Sequence, residues 1–208
     1  MQNLKLTFLA MTVFLISSCA SIYQSPTVDQ VSNKHQKIAI LPADVSMTAG
    51  RKADPELLKE YQKKESLNFQ KAMYSWFLKR KMQNGMRVNI LDVPTTNAKL
   101  TKAGYFEKNT MTPNEIATLL GVDAVMTSNY ALSKPMSEGA AVALGLLVGF
   151  WGATNQATIT LDIHDKEAAD IIWSYSHTLS GTIGSSSNNL VNALMKKASR
   201  KMPYMQPR

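Results

Sequence analysis

One cysteine, Cys19, stands in a chain of 208 residues, so no internal disulfide staples the fold and packing must stabilise it. The three histidines, His35, His164 and His177, lie far apart, and none forms a helical pair at metal-ligand spacing. No Gly-x-Ser-x-Gly elbow, Walker loop or dinucleotide fingerprint occurs. The expectation is therefore a protein that is not an enzyme, with no catalytic residues, no cofactor and no metal. No apolar run reaches the about 20 residues that a membrane-spanning helix needs. Acidic residues are outnumbered 15 to 23, for a net charge of +8, yet the basic residues are spread out. Only Lys79-Arg80-Lys81 and Lys196-Lys197 cluster, with no basic stripe interleaved with aromatics, so no nucleic-acid partner is expected. An apolar content of 45% argues against global disorder, and the length suits one domain with a real core.

What is present begins at the N-terminus. Lys5 is the one charge before Leu6–Ile16, an uncharged and mostly apolar stretch too short to span a membrane. Ser17 and Ser18 then precede Cys19, and Ile16-Ser17-Ser18-Cys19 resembles the lipobox of bacterial lipoproteins. The resemblance implies cleavage before Cys19, acylation of its thiol and its new amino group, and a membrane anchor built of several acyl chains. Residues 1–18 are read as a signal peptide, residues 19–36 as the lipidated N-terminus and a polar tether, and 37–202 as the domain. A tail, 203–208, follows, and the expected location is the cell envelope, lipid-anchored in the outer membrane.

Along the domain, Lys37–Pro42 reads as a strand buried on both faces. Asp54 and Pro55 open a long helix that ends near Gly85, which is expected to take the left-handed cap conformation. Arg87–Val93 is a second strand stopped by Pro94, and Thr95–Phe106 is weakly helical. Thr112-Pro113-Asn114-Glu115 is a capping box, and Gly121 closes its short helix. Asp123–Leu132 is a third strand. Ala157, Ile159, Leu161 and Ile163 alternate with polar residues, and Ile171–Gly181 returns, so the two form an antiparallel hairpin. Trp173 on the hairpin and Trp76 on the long helix are expected in one core. Gly181–Ser187 reads as a connection with Ser187 as N-cap, and Asn188–Met202 as a final amphipathic helix. His164 and Asp165 could meet Ser176 and His177 across the hairpin; they read as ordinary strand residues rather than a catalytic set. The fold class is α/β, a two-layer or three-layer sandwich of a mixed sheet with a C-terminal antiparallel hairpin and helices packed on it.

Three patterns in order, Ile38-Ala39-Ile40-Leu41-Pro42, Leu120-Gly121-Val122-Asp123-Ala124-Val125, and Leu161-Asp162-Ile163-His164-Asp165 with Ile171-Ile172-Trp173-Ser174-Tyr175, resemble the CsgG-like superfamily. These are envelope lipoproteins related to the curli secretion channel subunit, and the chain looks closest to small members whose function is not settled. The hairpin turn departs from the pattern, with Glu167-Ala168-Ala169-Asp170 where Thr-Gly is frequent. The resemblance implies an α/β sandwich and an envelope role, and carries over no catalytic residues.

Gly139–Ala153 has no charge and four glycines. Its 15 residues span about 22 Å as a helix, short of the roughly 30 Å bilayer core. Its glycines weaken a core helix, and it lacks the alternation of a barrel hairpin. The reading is an apolar insertion that touches lipid or another subunit through Leu144, Leu146, Leu147, Val148, Phe150 and Trp151, with Gly145-x-x-x-Gly149 allowing close helix approach. The expected function is a non-enzymatic assembly or accessory subunit of an envelope secretion or transport complex. Its partners are the membrane through the anchor and a homo-oligomer or envelope protein complex. The alternative is a lipoprotein regulator of a peptidoglycan synthase, for which a tether of about 17 residues reaches only about 60 Å.

Overall fold

The computed structural model describes residues 20–47, 54–108, 110–132, 156–180 and 187–206. Its centre is a mixed seven-stranded open sheet with helices packed on it. The strands are β1 (Ser21–Gln24), β2 (Lys37–Ile40), β3 (Asp44–Met47), β4 (Asn89–Ile90), β5 (Ala124–Leu132), β6 (Gln156–Asp165) and β7 (Ile171–Ser180). The helices are α1 (Val28–Ser32), α2 (Pro55–Met82), α3 (Val93–Lys102), α4 (Pro113–Leu120) and α5 (Ser187–Ala198), the last continued by a 3₁₀ turn, Ser199–Lys201. The sheet order is β1-β7-β6-β5-β2-β4. β2 and β4 run parallel to their neighbours, and the β5-β6-β7-β1 half is antiparallel.

β3 lies beside β5 on the same edge as β2, one step further along. The pairing goes from Ile40 opposite Met126 to Asp44 opposite Asn129, so one extra residue is absorbed between the strands. Pro42 lies there; it has no N–H to donate, and the ladder breaks around it. Beyond Pro42 no apolar periodicity announces that pairing resumes in β3.

Two cores flank the sheet. The larger joins Phe69, Met73, Trp76 and Phe77 of α2 with Leu190, Val191, Leu194 and Met195 of α5, over Ile38, Ile40, Met126, Tyr130, Ile159, Leu161, Ile163, Trp173 and Tyr175. Trp76 and Trp173 share it, as expected from the sequence. The smaller joins Leu100 of α3 and Ile116, Ala117 and Leu120 of α4 with Ala39, Leu41 and Val125 on the opposite face. Thus Ile38-Ala39-Ile40-Leu41 is apolar throughout because alternate residues enter different cores. The sheet is three-layered around β2 and two-layered across β6 and β7.

Local chemistry places the helices. The Asp54 carboxylate accepts from the Glu56 and Leu57 N–H groups at 2.9 and 3.3 Å, and Pro55 occupies the first turn. The helix end differs from expectation: Asn84, with φ +53, takes the left-handed position, and Gly85 N–H donates to the Arg80 carbonyl at 2.9 Å. Asn tolerates this conformation better than other residues with a Cβ. Pro94 opens α3 instead of merely ending a strand, with Asp92 as its cap, and β4 shrinks to two residues. The capping box at Thr112 and Glu115 forms, and Gly121 (φ +71) closes α4.

Candidate functional site

The stretch read as a tether carries β1 and α1, and β1 pairs antiparallel with β7. Its register, Ser21 opposite Ser176 through Gln24 opposite Trp173, joins the N-terminal stretch to the sheet edge. β1 starts two residues after Cys19, which itself lies outside the described residues. The direction of the strand matters. Going backwards along β1 leads toward the end of the sheet where β7 stops at Ser180, β5 stops at Leu132 and β6 starts at Gln156. The segment 133–155, with all six proposed contact residues from Leu144 to Trp151, joins the sheet there and lies outside the described residues. Ile22 and Tyr23 are exposed on β1, at 41% and 51%.

The hairpin separates the side chains that were candidates to meet. Strand alternation sends Asp165 and His177 to the large-core face, and His164 and Ser176 to the other face. Asp165 belongs to a buried group that local sequence did not reveal. His35 Nε2 lies 2.7 Å from Asp165 Oδ1, and His35 Nδ1 lies 2.7 Å from the Tyr204 hydroxyl. A neutral imidazole fits both contacts when Nε2–H donates to the carboxylate and Nδ1 accepts from the phenol. Burial and the Asp165 charge push the Tyr204 hydroxyl above its ordinary pKa, so it stays a donor. The other Asp165 oxygen accepts from the Ala168 N–H and sets the turn. Asp123 accepts from the Gln36 and Lys37 N–H groups at 2.7 and 2.9 Å. Burial opposes its charge, but these bonds hold its carboxyl below the usual range. Arg87 bonds Asn33 and the carbonyls of Ser32 and Pro203. The stretches around His35, Arg87, Asp123, Asp165 and Tyr204, distant in sequence, are thereby clasped at the end of the sheet far from Ser180. No short motif announces this, because each residue sits alone in its own stretch.

His177 is buried, with Nε2 3.3 Å from Lys197 Nζ. Burial, and then the Lys197 charge, lower its pKa and favour the neutral ring. Burial also lowers His164, with Asp162 pulling the other way, and its Nε2 lies 3.0 Å from Thr127 Oγ1. On the large-core side, Glu65 of α2 is buried and accepts from Ser187 Oγ at 3.3 Å, tying the first turn of α5 to α2. Burial raises its pKa, opposed by hydrogen bonds from Ser187 and Asn68. Ser187 was expected as an N-cap; it is the first helical residue and serves this contact.

The face of β5, β6 and β7 opposite the large core is the surface with the most functional potential. It presents rows of hydroxyls: Thr158 bonds Thr178 at 2.9 Å, and Thr160 donates to Ser176 at 3.0 Å. Asp162 lies between Thr127 and Ser174 in the next row, with Tyr23 beyond on β1. Such a face offers hydrogen-bond donors and acceptors to a partner. Among the described residues, no group of three His, Cys, Asp or Glu side chains is placed to hold a metal ion. No helix among them is long and apolar enough to cross a membrane.

No protein-family model matches the chain, and no curated protein does. Solved structures similar to it include three bacterial proteins. Lipoprotein GNA1162 from Neisseria meningitidis is 11% identical with a TM-score of 0.44, covering 79% of this chain and 94% of that one. The PelC dodecamer from Paraburkholderia phytofirmans is 10% identical with a TM-score of 0.43, covering 91% and 99%. The LpoB C-terminal domain from Salmonella enterica is 11% identical with a TM-score of 0.38, covering 74% and 93%. Likenesses at these scores carry no argument about function, which rests on the residues of this chain.

Proposed function

We propose that this chain is a lipid-anchored, non-enzymatic accessory subunit of a bacterial envelope complex, serving assembly in secretion or transport. The observation that carries the reading is Ile16-Ser17-Ser18-Cys19 followed, two residues after the cysteine, by a strand built into the sheet. An acylated Cys19 then holds the domain against the membrane with almost no intervening chain. The flanks of the segment that contains the apolar stretch 139–153, Leu132 and Gln156, lie at the end of the sheet toward which β1 runs backwards to Cys19. The residues from Leu144 to Trp151 are its contact to lipid or to a second subunit. The resemblance to the CsgG-like superfamily favours a secretion or transport setting and outer-membrane anchoring. Regulation of a peptidoglycan synthase needs reach away from the membrane, and the pairing of β1 with β7 removes most of the tether that would supply it.

The test is a pair of variants in native membranes. Cys19→Ser is expected to abolish acylation and release the protein from the membrane fraction. Replacing Ala140–Gly152 with a short Gly/Ser linker is expected to leave a folded domain that no longer self-associates or crosslinks to its complex. A folded deletion variant with unchanged crosslinks contradicts the assembly role.

A further inference from the structure

Three buried side-chain polar atoms have no hydrogen-bond partner among the described residues: Ser128 Oγ, the Tyr175 hydroxyl and His177 Nδ1. Such atoms are rare in folded proteins, because each carries a desolvation penalty that no bond offsets. Tyr175 and His177 are neighbours on the large-core side of β7, with ring centroids 6.0 Å apart and exposures of 1% and 2%. Ser128 is separated from Tyr175 by Leu161 of β6 and does not join them. Lys197 decides the chemistry of the pair, since its Nζ lies 3.3 Å from His177 Nε2. An ammonium can only donate, so Nε2 accepts, and the proton of the neutral ring sits on Nδ1. His177 Nδ1–H is therefore a buried donor without an acceptor. Burial raises the pKa of the Tyr175 hydroxyl beside it, so this group keeps its proton and is a second such donor. Lys197 is exposed, and no carboxylate among the described residues lies within 4.0 Å of it. All three groups require an acceptor, and the Lys197 charge favours an anionic one. The two imidazole nitrogens are separated by one carbon, so a single oxyanion can accept from Nδ1–H while another of its oxygens meets the ammonium.

We propose that Lys197, His177 and Tyr175 form a binding site for the phosphate of an anionic phospholipid in the anchoring membrane, a step that rests on the anchor reading. The position of the site selects the lipid over a dissolved anion. Ser21 pairs with Ser176, the residue before His177. Cys19 is two peptide units from Ser21, which keeps its Cα within about 8 Å of that of Ser21. The acylated residue thus brings lipid headgroups to the edge of β7 at which His177 stands. Ala20, between Cys19 and Ser21, is exposed and has only a methyl side chain, so it offers no bulk against a headgroup. An exposed lysine alone marks no site; the two buried donors behind it do. Hydrogen bonds to an ionised phosphate are roughly twice as strong as neutral ones, which suits donors that are already desolvated.

The experiment places the mature, acylated protein in nanodiscs of phosphatidylcholine, with or without phosphatidylglycerol. Peptide masses then report how fast each lysine reacts with an amine-acylating reagent. Lys197 is expected to react at least about fivefold more slowly in the phosphatidylglycerol discs, while the exposed Lys63 and Lys64 of α2 change less than about twofold. Tyr175→Phe removes only a hydroxyl that has no partner, so it should melt at or above the parent and yet lose most of the Lys197 protection. His177→Leu should lose that protection too. Equal labelling of Lys197 in the two lipids overturns the proposal. Protection that survives either substitution reduces the effect to diffuse surface charge and overturns it as well. Inorganic phosphate that protects Lys197 equally in phosphatidylcholine discs assigns a dissolved anion and overturns the lipid. A lower melting temperature for Tyr175→Phe gives the hydroxyl a structural role and overturns the site. The mass of the N-terminal peptide from the same preparation reports acylation of Cys19. Should its thiol prove free, dihexanoyl-phosphatidylglycerol added to the unanchored protein tests the same three residues, so the two readings fail separately.

Discussion

The two halves of the sheet solve burial differently. Around β2, both faces are covered, by α2 on one side and by α3 and α4 on the other, and the strand is apolar at every step from Ile38 to Leu41. Across β6 and β7, the described residues form a large core on one face, and Ile159, Leu161 and Ile163 alternate with Thr158, Thr160 and the buried Asp162. The first arrangement leaves no side chain free for a partner. The second keeps a folded scaffold on one side and a hydrogen-bonding surface on the other, so the half with the thinner covering is where recognition is possible.

The sharpest way to break the comparison is on the covered face of the hairpin. Trp173→Ala removes a fully buried indole that stacks on Tyr175 with ring centroids 6.1 Å apart, and should cost about 3–5 kcal/mol in denaturant unfolding. Leu120→Ala, in the small core, should cost about 2–4 kcal/mol. A loss below about 0.5 kcal/mol at Leu120 would mean that the second layer is not packed on the β2 half. His35→Leu strands the Asp165 carboxylate and the Tyr204 hydroxyl without their partner, and should cost about 1–3 kcal/mol.

Smaller effects sharpen the picture. Ala169 sits in the hairpin turn at φ +57, where glycine is at ease and a Cβ is strained. Ala169→Gly should therefore stabilise by about 0.5–1 kcal/mol, restoring the residue type whose absence from this turn stood out in the sequence. Glu65 has a folded pKa raised above its ordinary 4.5 by burial. Its contribution is complete below pH 4.5 and is lost as pH rises through the folded value, because the folded state there holds the extra proton. Glu65→Gln should melt higher than the parent at pH 8 and alike at pH 4, and a uniform shift at both pH values would assign the effect to the Ser187 contact. At the least sensitive extreme, Thr158→Ala on the open face should change stability by no more than about 0.5 kcal/mol.

The covered and open hairpin faces were legible in the sequence because alternation with period two states directly which side is buried. The capping box at Thr112 and the start of α2 at Asp54 were legible for the same local reason: their hydrogen bonds are made within three residues. Three features were not. β3 was hidden by Pro42, which breaks a ladder that resumes beyond it. The N-terminal stretch looked like a tether because Ser21–Gln24 has no apolar periodicity; its pairing comes from the free edge of β7, which no local pattern encodes. The His35, Asp165 and Tyr204 contact spans the chain, so no local pattern encodes it.

The account stands on Cys19 being the anchored first residue of a domain that begins at once. The direct measurement is the mass of the N-terminal peptide of the protein extracted from the membranes of its native host. The account predicts a peptide that starts at Cys19 and carries acyl chains on both its sulfur and its amino group. A peptide that retains residues before Cys19, or that starts at Cys19 with a free thiol, contradicts it.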